Sequence, residues 1–260
     1  MIRLSRRTRG KSRPGRLRLL DAWLVATQRP LIARREAAFE RAVSVDLGFG
    51  AVPWTTLELV AALRQIDPEA EVVGVDIDPA RVESARPLQV PGLRFEVGGF
   101  ELPPAPPVRL IRAMNVLRQY DPAAVAGAHA AMRRAVLPGG LVIEGTTSKG
   151  GDTLAAHLLR RHGGVGEPAQ PRALLFATDF SAGFAPRMFA RCLPRDLRPD
   201  GRPSPAVAAF LDAWTAALSG MDRADPARAF AASAADLPGV EVGPGWIIWT
   251  PGADAAGPML

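Results

Sequence analysis

Two carboxylates and two glycines carry the clearest chemistry in the sequence: Asp46, Gly48 and Gly50 in Val45-Asp46-Leu47-Gly48-Phe49-Gly50, and Asp76 at the end of Val72-Val73-Gly74-Val75-Asp76. Glycines directly after a strand let the backbone turn tightly and approach a ligand where a side chain would collide. A carboxylate at the end of an otherwise apolar, buried strand needs a partner. At Asp46 that requirement points to a cationic ligand, because a pyrophosphate beside it would be repelled. Asp76 offers two oxygens that can accept hydrogen bonds from both hydroxyls of a ribose. Phe49 between the glycines and Ile77 after Asp76 are expected to line the same ligand.

These residues need a β-α-β unit to bring them together. The sequence predicts a strand at Ala42–Leu47, a turn at 48–53 and a helix through Ile66, with Thr55 and Glu58 at capping-box spacing. A second strand, Glu71–Asp76, leads to Asp78-Pro79, an N-cap and first-turn pair for a helix over Ala80–Arg86. Leu93–Val97, Val108–Met114 and Leu141–Glu144 read as further strands. Asp121-Pro122 opens a helix to Ala135, and Leu137-Pro138-Gly139-Gly140 reads as the turn after it. Short apolar runs alternating with helical stretches predict an α/β sheet, mostly parallel, with helices on both faces.

The series Val-Asp-Leu-Gly-Phe-Gly, Val-Val-Gly-Val-Asp-Ile-Asp-Pro and Ala-Val-Leu-Pro-Gly-Gly-Leu-Val-Ile resembles the class I S-adenosylmethionine-dependent methyltransferases over residues 40 to 150. The resemblance implies a Rossmann-like fold of seven strands, the last antiparallel, with S-adenosylmethionine over the carboxyl ends of the first strands. It places Asp46, Gly48 and Gly50 at the methionine part of the cofactor and Asp76 at the ribose. Two departures stand out. Val52 occupies the place of the family's third glycine, and Gly98-Gly99-Phe100 replaces the acidic residue after the third strand. Phe100 then packs either on the adenine or in the core.

Methyl transfer is an in-line displacement, so positioning the acceptor supplies much of the catalysis and no strong base is obligatory. By topology the acceptor lies at the end of the fourth strand. There Asn115 is the candidate contact to acceptor and cofactor, with Arg118 and Tyr120 behind it. Two other functions compete: a nicotinamide-dependent oxidoreductase, against which Pro53 stands in place of the third glycine of Gly-x-Gly-x-x-Gly, and a non-catalytic adenosine-ligand or nucleic-acid binding module.

The remaining sequence bounds the setting. The net charge of +6 rests on arginine, since Lys11 and Lys149 are the only lysines. Eight basic residues precede the first acidic one, Asp21, which suits contact with RNA phosphates through residues 1–15, otherwise a flexible tail. A lone cysteine, Cys192, cannot form an internal disulfide and reads as a buried small side chain in a reducing, cytoplasmic setting. No membrane span is expected, because no apolar stretch approaches the required ~20 residues. His129, His157 and His162 are well apart and lack zinc-ligand spacing, so no metal is expected and they read as surface or packing residues.

Residues 16–41 are expected as packing helices, including one over Leu31–Ala42, before a domain spanning 42–250. Thr153–Arg161 reads as a helix, Ala173–Ala177 and Trp246–Trp249 as closing strands, and Ala206–Leu218 as a helix inside an unassigned insertion, 186–240. Residues 251–260 read as a flexible tail.

Overall fold

The computed structural model describes residues 9–102, 106–161 and 173–252. Its centre is one nine-stranded sheet, in the spatial order β3-β2-β1-β4-β5-β6-β7-β9-β8. Helix α1 (Arg18–Thr27) and the short α2 (Arg29–Ile32) precede β1 (Val43–Leu47). Then come α3 (Trp54–Leu63), β2 (Val72–Asp76), α4 (Pro79–Ala85), β3 (Leu93–Val97) and β4 (Val108–Met114). Helix α5 (Pro122–Ala135) joins β4 to the long β5 (Val136–Thr147). Strands β6 (Thr153–Arg160) and β7 (Ala173–Thr178) follow, then α6 (Pro205–Leu218), α7 (Pro226–Ala234), β8 (Val240–Gly243) and β9 (Trp246–Trp249).

Strands β3, β2, β1, β4 and β5 pair in parallel, in keeping with the fully buried runs of β1, β2 and β4. Helices α1, α3 and α4 cover one face through residues such as Trp23, Leu59 and Val82, and α5 covers the other through Val125 and Met132. Helices α6 and α7 continue that second layer over the far strands with an aromatic cluster around Trp214, Phe176 and Phe230. The α/β architecture with both faces covered is as expected. The strand count differs: among the described residues there are nine strands, with four antiparallel pairings at the far edge in place of a single antiparallel strand.

The difference arises at residues 148–160. Thr153–Arg160 is strand β6, not a helix. Ala and Leu favour helix locally, but Ser148-Lys149-Gly150-Gly151-Asp152 closes a tight hairpin in which the Ser148 amide donates to the Thr153 carbonyl at 2.8 Å. Burial on both faces of β6 then decides the conformation. The Leu137–Gly140 turn is likewise absorbed into the start of β5.

The expected helix over Leu31–Ala42 is also absent. Only Arg29–Ile32 is α-helical, followed by a 3₁₀ segment at Ala37–Arg41. Arg109, 4% exposed on β4, draws the carbonyls of this stretch to its guanidinium: Ala42 at 2.8 Å, Arg34 at 3.1 Å, Phe39 at 2.5 Å, and Ile32. Gathering these carbonyls around one buried cation favours the short turns seen here over a continuous helix.

Candidate active site

The strand order reverses at β1, which lies between β2 and β4. At such switch points open α/β sheets bind ligands beyond the carboxyl ends of their strands. A cavity of about 1080 Å³ lies there, lined by Asp46, Met114 and Thr147 from the ends of β1, β4 and β5, and by Gly48, Phe49 and Gly50. Further walls come from residues 9–17, from the loops that follow β4 and β5, and from the segment between Ala182 and Cys192.

The glycine turn takes the left-handed conformation twice, at Gly48 (φ 79°) and Gly50 (φ 86°). A Cβ on Gly48 would stand 2.5 Å from the Val116 side chain, and one on Gly50 would stand 2.8 Å from the Gly10 carbonyl oxygen. The Gly50 amide donates to Asp76 Oδ2 at 3.0 Å, joining the two candidate motifs directly. Asp76 is 1% exposed, and it also accepts from the Asp78 amide at 3.0 Å and from Arg81 at 3.3 Å. Asp78 caps α4 as expected, accepting from the Ala80 amide at 3.2 Å.

Asp46 is held by the protein itself. Its Oδ1 accepts from Arg112 Nε at 2.9 Å, and Oδ2 accepts from the hydroxyls of Thr55 at 3.0 Å and Thr56 at 2.7 Å. The partner that a buried carboxylate demands is therefore Arg112, and the inference from Asp46 to a cationic ligand falls away. Arg112 is fully buried and also pairs with Asp21 of α1 and with the Thr55 carbonyl at 2.5 Å. Burial opposes its charge, but Asp46 and Asp21 more than offset this and hold the guanidinium above its ordinary range. Asp21 carries the strain of the arrangement: burial pushes its carboxyl up to about 6 despite Arg112.

Asn115 stands at the end of β4 and lines the cavity, as expected. Its backbone is left-handed (φ 63°), and its amide group is bound to Thr147, donating to Oγ1 and accepting from the backbone N–H at 3.1 Å each. Arg118 is exposed on the cavity wall. Tyr120 and Phe100 are not on that wall: both are buried, edge to face at 5.5 Å, in the core beneath α5. Ile77 is half-buried and, like Asp76, off the cavity lining.

Residues 9–16 are laid over the site, so this part of the expected tail is an ordered strap. The Ala51 amide donates to the Gly10 carbonyl at 2.9 Å, the Arg9 amide to Gln119 Oε1 at 3.0 Å, and the Gly15 amide to Glu58 Oε1 at 2.6 Å. Residues 1–8, the rest of that expected tail, lie outside the described residues, as do residues 253–260 of the other.

The cavity is strongly basic: among the described lining residues eight are Lys or Arg, half of them from the strap, against Asp46 and Asp152. Arg16 donates from Nε to Thr147 Oγ1 at 3.1 Å and from its terminal nitrogen to Asn115 Oδ1 at 3.4 Å. Burial lowers its affinity for the proton, and the neighbouring charges of Arg118 and Arg13 lower it further. Among the described residues no carboxylate pairs with it. Cys192 lines the same cavity with its thiol pushed up to about 11 by burial, which makes it a poor nucleophile.

Sequence reasoning missed Arg16, Arg112 and Thr147. An arginine in an apolar strand beside an aspartate strand end was the signal available for Arg112; nothing local pointed to the other two. It also separated His129 and His157, which the fold brings to 5.1 Å between ring centroids, both buried.

The sequence matches no protein-family model and no curated protein. Solved structures similar to the chain are mainly methyltransferases. They include human N-acetylserotonin methyltransferase in complex with SAM, at 22% identity over 48% of this chain and 35% of that one, TM-score 0.33. An amino pentose methyltransferase from Micromonospora echinaspora, solved with SAM, is 18% identical over 65% of this chain and 70% of that one, TM-score 0.36. A pericyclic reaction enzyme is 16% identical over 46% of this chain and 30% of its own, TM-score 0.37. The chain spans 30, 35 and 53% of the lengths of the first three such structures. Fold likeness does not fix a reaction.

Proposed function

We propose that this chain is an S-adenosylmethionine-dependent methyltransferase acting on an anionic acceptor. The observation that carries the cofactor assignment is the bond from the Gly50 amide to Asp76 Oδ2 at the β1/β2 switch point. It joins a side-chain-free turn to a carboxylate at the second strand end. Gly48 and Gly50 leave the turn without side chains, the space at Gly50 being held by the Gly10 carbonyl of the strap, and Asp76 is the acceptor for ribose hydroxyls once the strap and Arg81 give way.

When bound, the cofactor supplies an electrophilic methyl group on a sulfonium. The chain's own residues do the rest. Arg16 and Arg118 draw in an acceptor that carries carboxylate or phosphate, and Asn115, clamped to Thr147, orients it from the end of β4. The nicotinamide alternative loses ground because the Gly50 amide, which a pyrophosphate would need, is engaged by Asp76 Oδ2, a bond that lifting the strap does not release.

A single buried cysteine fits a reducing, cytoplasmic setting. No described helix is long and apolar enough to cross a membrane.

Calorimetry with S-adenosylhomocysteine, NADH and NADPH tests the reading. Saturable binding of S-adenosylhomocysteine alone is expected, followed by labelled-methyl transfer to a member of an anionic acceptor panel that includes short RNA. Binding of a dinucleotide instead, or of none of the three, overturns it.

A further inference from the structure

Behind the cavity floor, between α5 and the β5–β6 hairpin, lies a buried cluster that methyl transfer does not use. Glu144 on β5 and His157 on β6 are register partners and share the face that meets α5. His129 comes from α5. All three are at most 1% exposed. His129 Nε2 lies 3.1 Å from Glu144 Oε2, and His157 Nε2 lies 2.9 Å from Asp196 Oδ1. Each bond uses only one end of its group. His129 Nδ1, His157 Nδ1 and Glu144 Oε1 are buried without a hydrogen-bond partner.

Three unmatched polar atoms in one cluster are uncommon in a folded protein and require an explanation. They are complementary to a cation, because a neutral imidazole nitrogen and a carboxylate oxygen are both lone-pair donors. A ring nitrogen of each histidine and a carboxylate oxygen of Glu144 lie within 4.8 Å of one another. That spacing lets modest rotations place all three about 2 Å from one ion. Asp196 completes the pattern. A carboxylate that accepts from Nε2–H fixes the tautomer of His157 that leaves Nδ1 free, the usual outer partner of a metal-bound histidine.

We propose that His129, Glu144 and His157 bind one divalent transition-metal ion, with zinc the best match to two imidazoles and a carboxylate. The ion would pin α5 to the centre of the sheet. Thr146, two residues from Glu144 on the same face of β5, has a buried hydroxyl without a partner and lines the large cavity. It marks the side from which the ion would enter.

The test uses the full chain, stripped with chelator and titrated with Zn²⁺ by calorimetry and with Co²⁺ by visible absorption. One ion per chain is expected, with cobalt ligand-field bands of a nitrogen and oxygen site. A hundredfold excess of Zn²⁺ over Kd should raise Tm by about 5 to 10 °C. H129Q, E144Q and H157Q should each weaken Zn²⁺ binding at least about a hundredfold, and D196N by about ten- to a hundredfold. H162Q, altering a histidine outside the described residues, should leave binding unchanged. Zn²⁺ binding that survives all three ligand variants, or that H162Q abolishes, overturns the proposal. Should the ligand variants fail to fold, the wild-type protein decides: no cobalt bands after stoichiometric addition means that the cluster is filled by water or protons alone.

Discussion

Asp46 and Arg112 stand side by side in register on β1 and β4, with Arg112 Nε 2.9 Å from Asp46 Oδ1. The pair ties the strand end that carries the glycine turn to α1, because the same guanidinium pairs with Asp21. Position, rather than ligand charge, is what Asp46 supplies to the site.

Removing that guanidinium leaves two buried carboxylates without a cation. Arg112→Met is therefore expected to destabilise the fold by about 3 to 5 kcal/mol in urea unfolding. The triple change with Asp21→Asn and Asp46→Asn should recover part of the loss. A single-variant loss below about 1 kcal/mol would mean that the network contributes little.

Asp21 makes stability pH-dependent. Its folded value is about 6, above the ordinary 3.8, so between these values the folded state holds more protons than the unfolded one. The stabilisation is full below the ordinary value and is lost as pH rises through about 6. Unfolding free energy attributable to Asp21 should thus fall by up to about 3 kcal/mol across this window. Asp21→Asn should flatten that part of the profile, and an unchanged slope in the variant would assign it elsewhere.

Asp76→Ala should weaken S-adenosylhomocysteine binding by about 2 to 3 kcal/mol, the scale of losing charge-assisted hydrogen bonds. Equal affinity in a folded variant would remove Asp76 from the ribose site. Asp46→Asn provides the contrast, since its expected effect falls on unfolding more than on cofactor affinity.

Asn115 has both a backbone and a side-chain duty. Asn115→Gly, which keeps the left-handed turn, should hold cofactor affinity within about 0.5 kcal/mol while lowering turnover about ten- to a thousandfold. Asn115→Ala should lose about 1 kcal/mol more stability than the glycine variant, because alanine resists positive φ. Arg16→Ala should raise the acceptor KM and reduce its sensitivity to salt. Full turnover in Asn115→Gly would make the Asn115–Thr147 clamp purely structural.

How far the sequence revealed these features depended on how local their causes were. β1, β2 and β4 were readable because each is a short apolar run with punctuation at its end, and so Asp76 and Asn115 were placed at strand ends correctly. β6 was not, since Leu154–Leu159 has the composition of a helix and only its neighbours β5 and β7 make it a strand. The same holds for His129 and His157. A path from α5 to the β5 face and a hairpin return to β6 bring them together, and no spacing rule spans such a path. Phe100 resolved to the core because Tyr120 and the α5 face lie against it.

The Gly10 carbonyl on the Ala51 amide turns the protein into a competitor for its own turn. A tethered group of this kind acts at a fixed effective concentration, so an incoming ligand's apparent dissociation constant is its intrinsic one divided by the fraction of molecules with the strap lifted. Selectivity between ligands is untouched by this factor, which scales all of them alike. Occupancy, in contrast, becomes adjustable from outside the site: any polyanion that holds Arg9, Lys11 and Arg13 away from the turn would raise the affinity of every ligand that binds there.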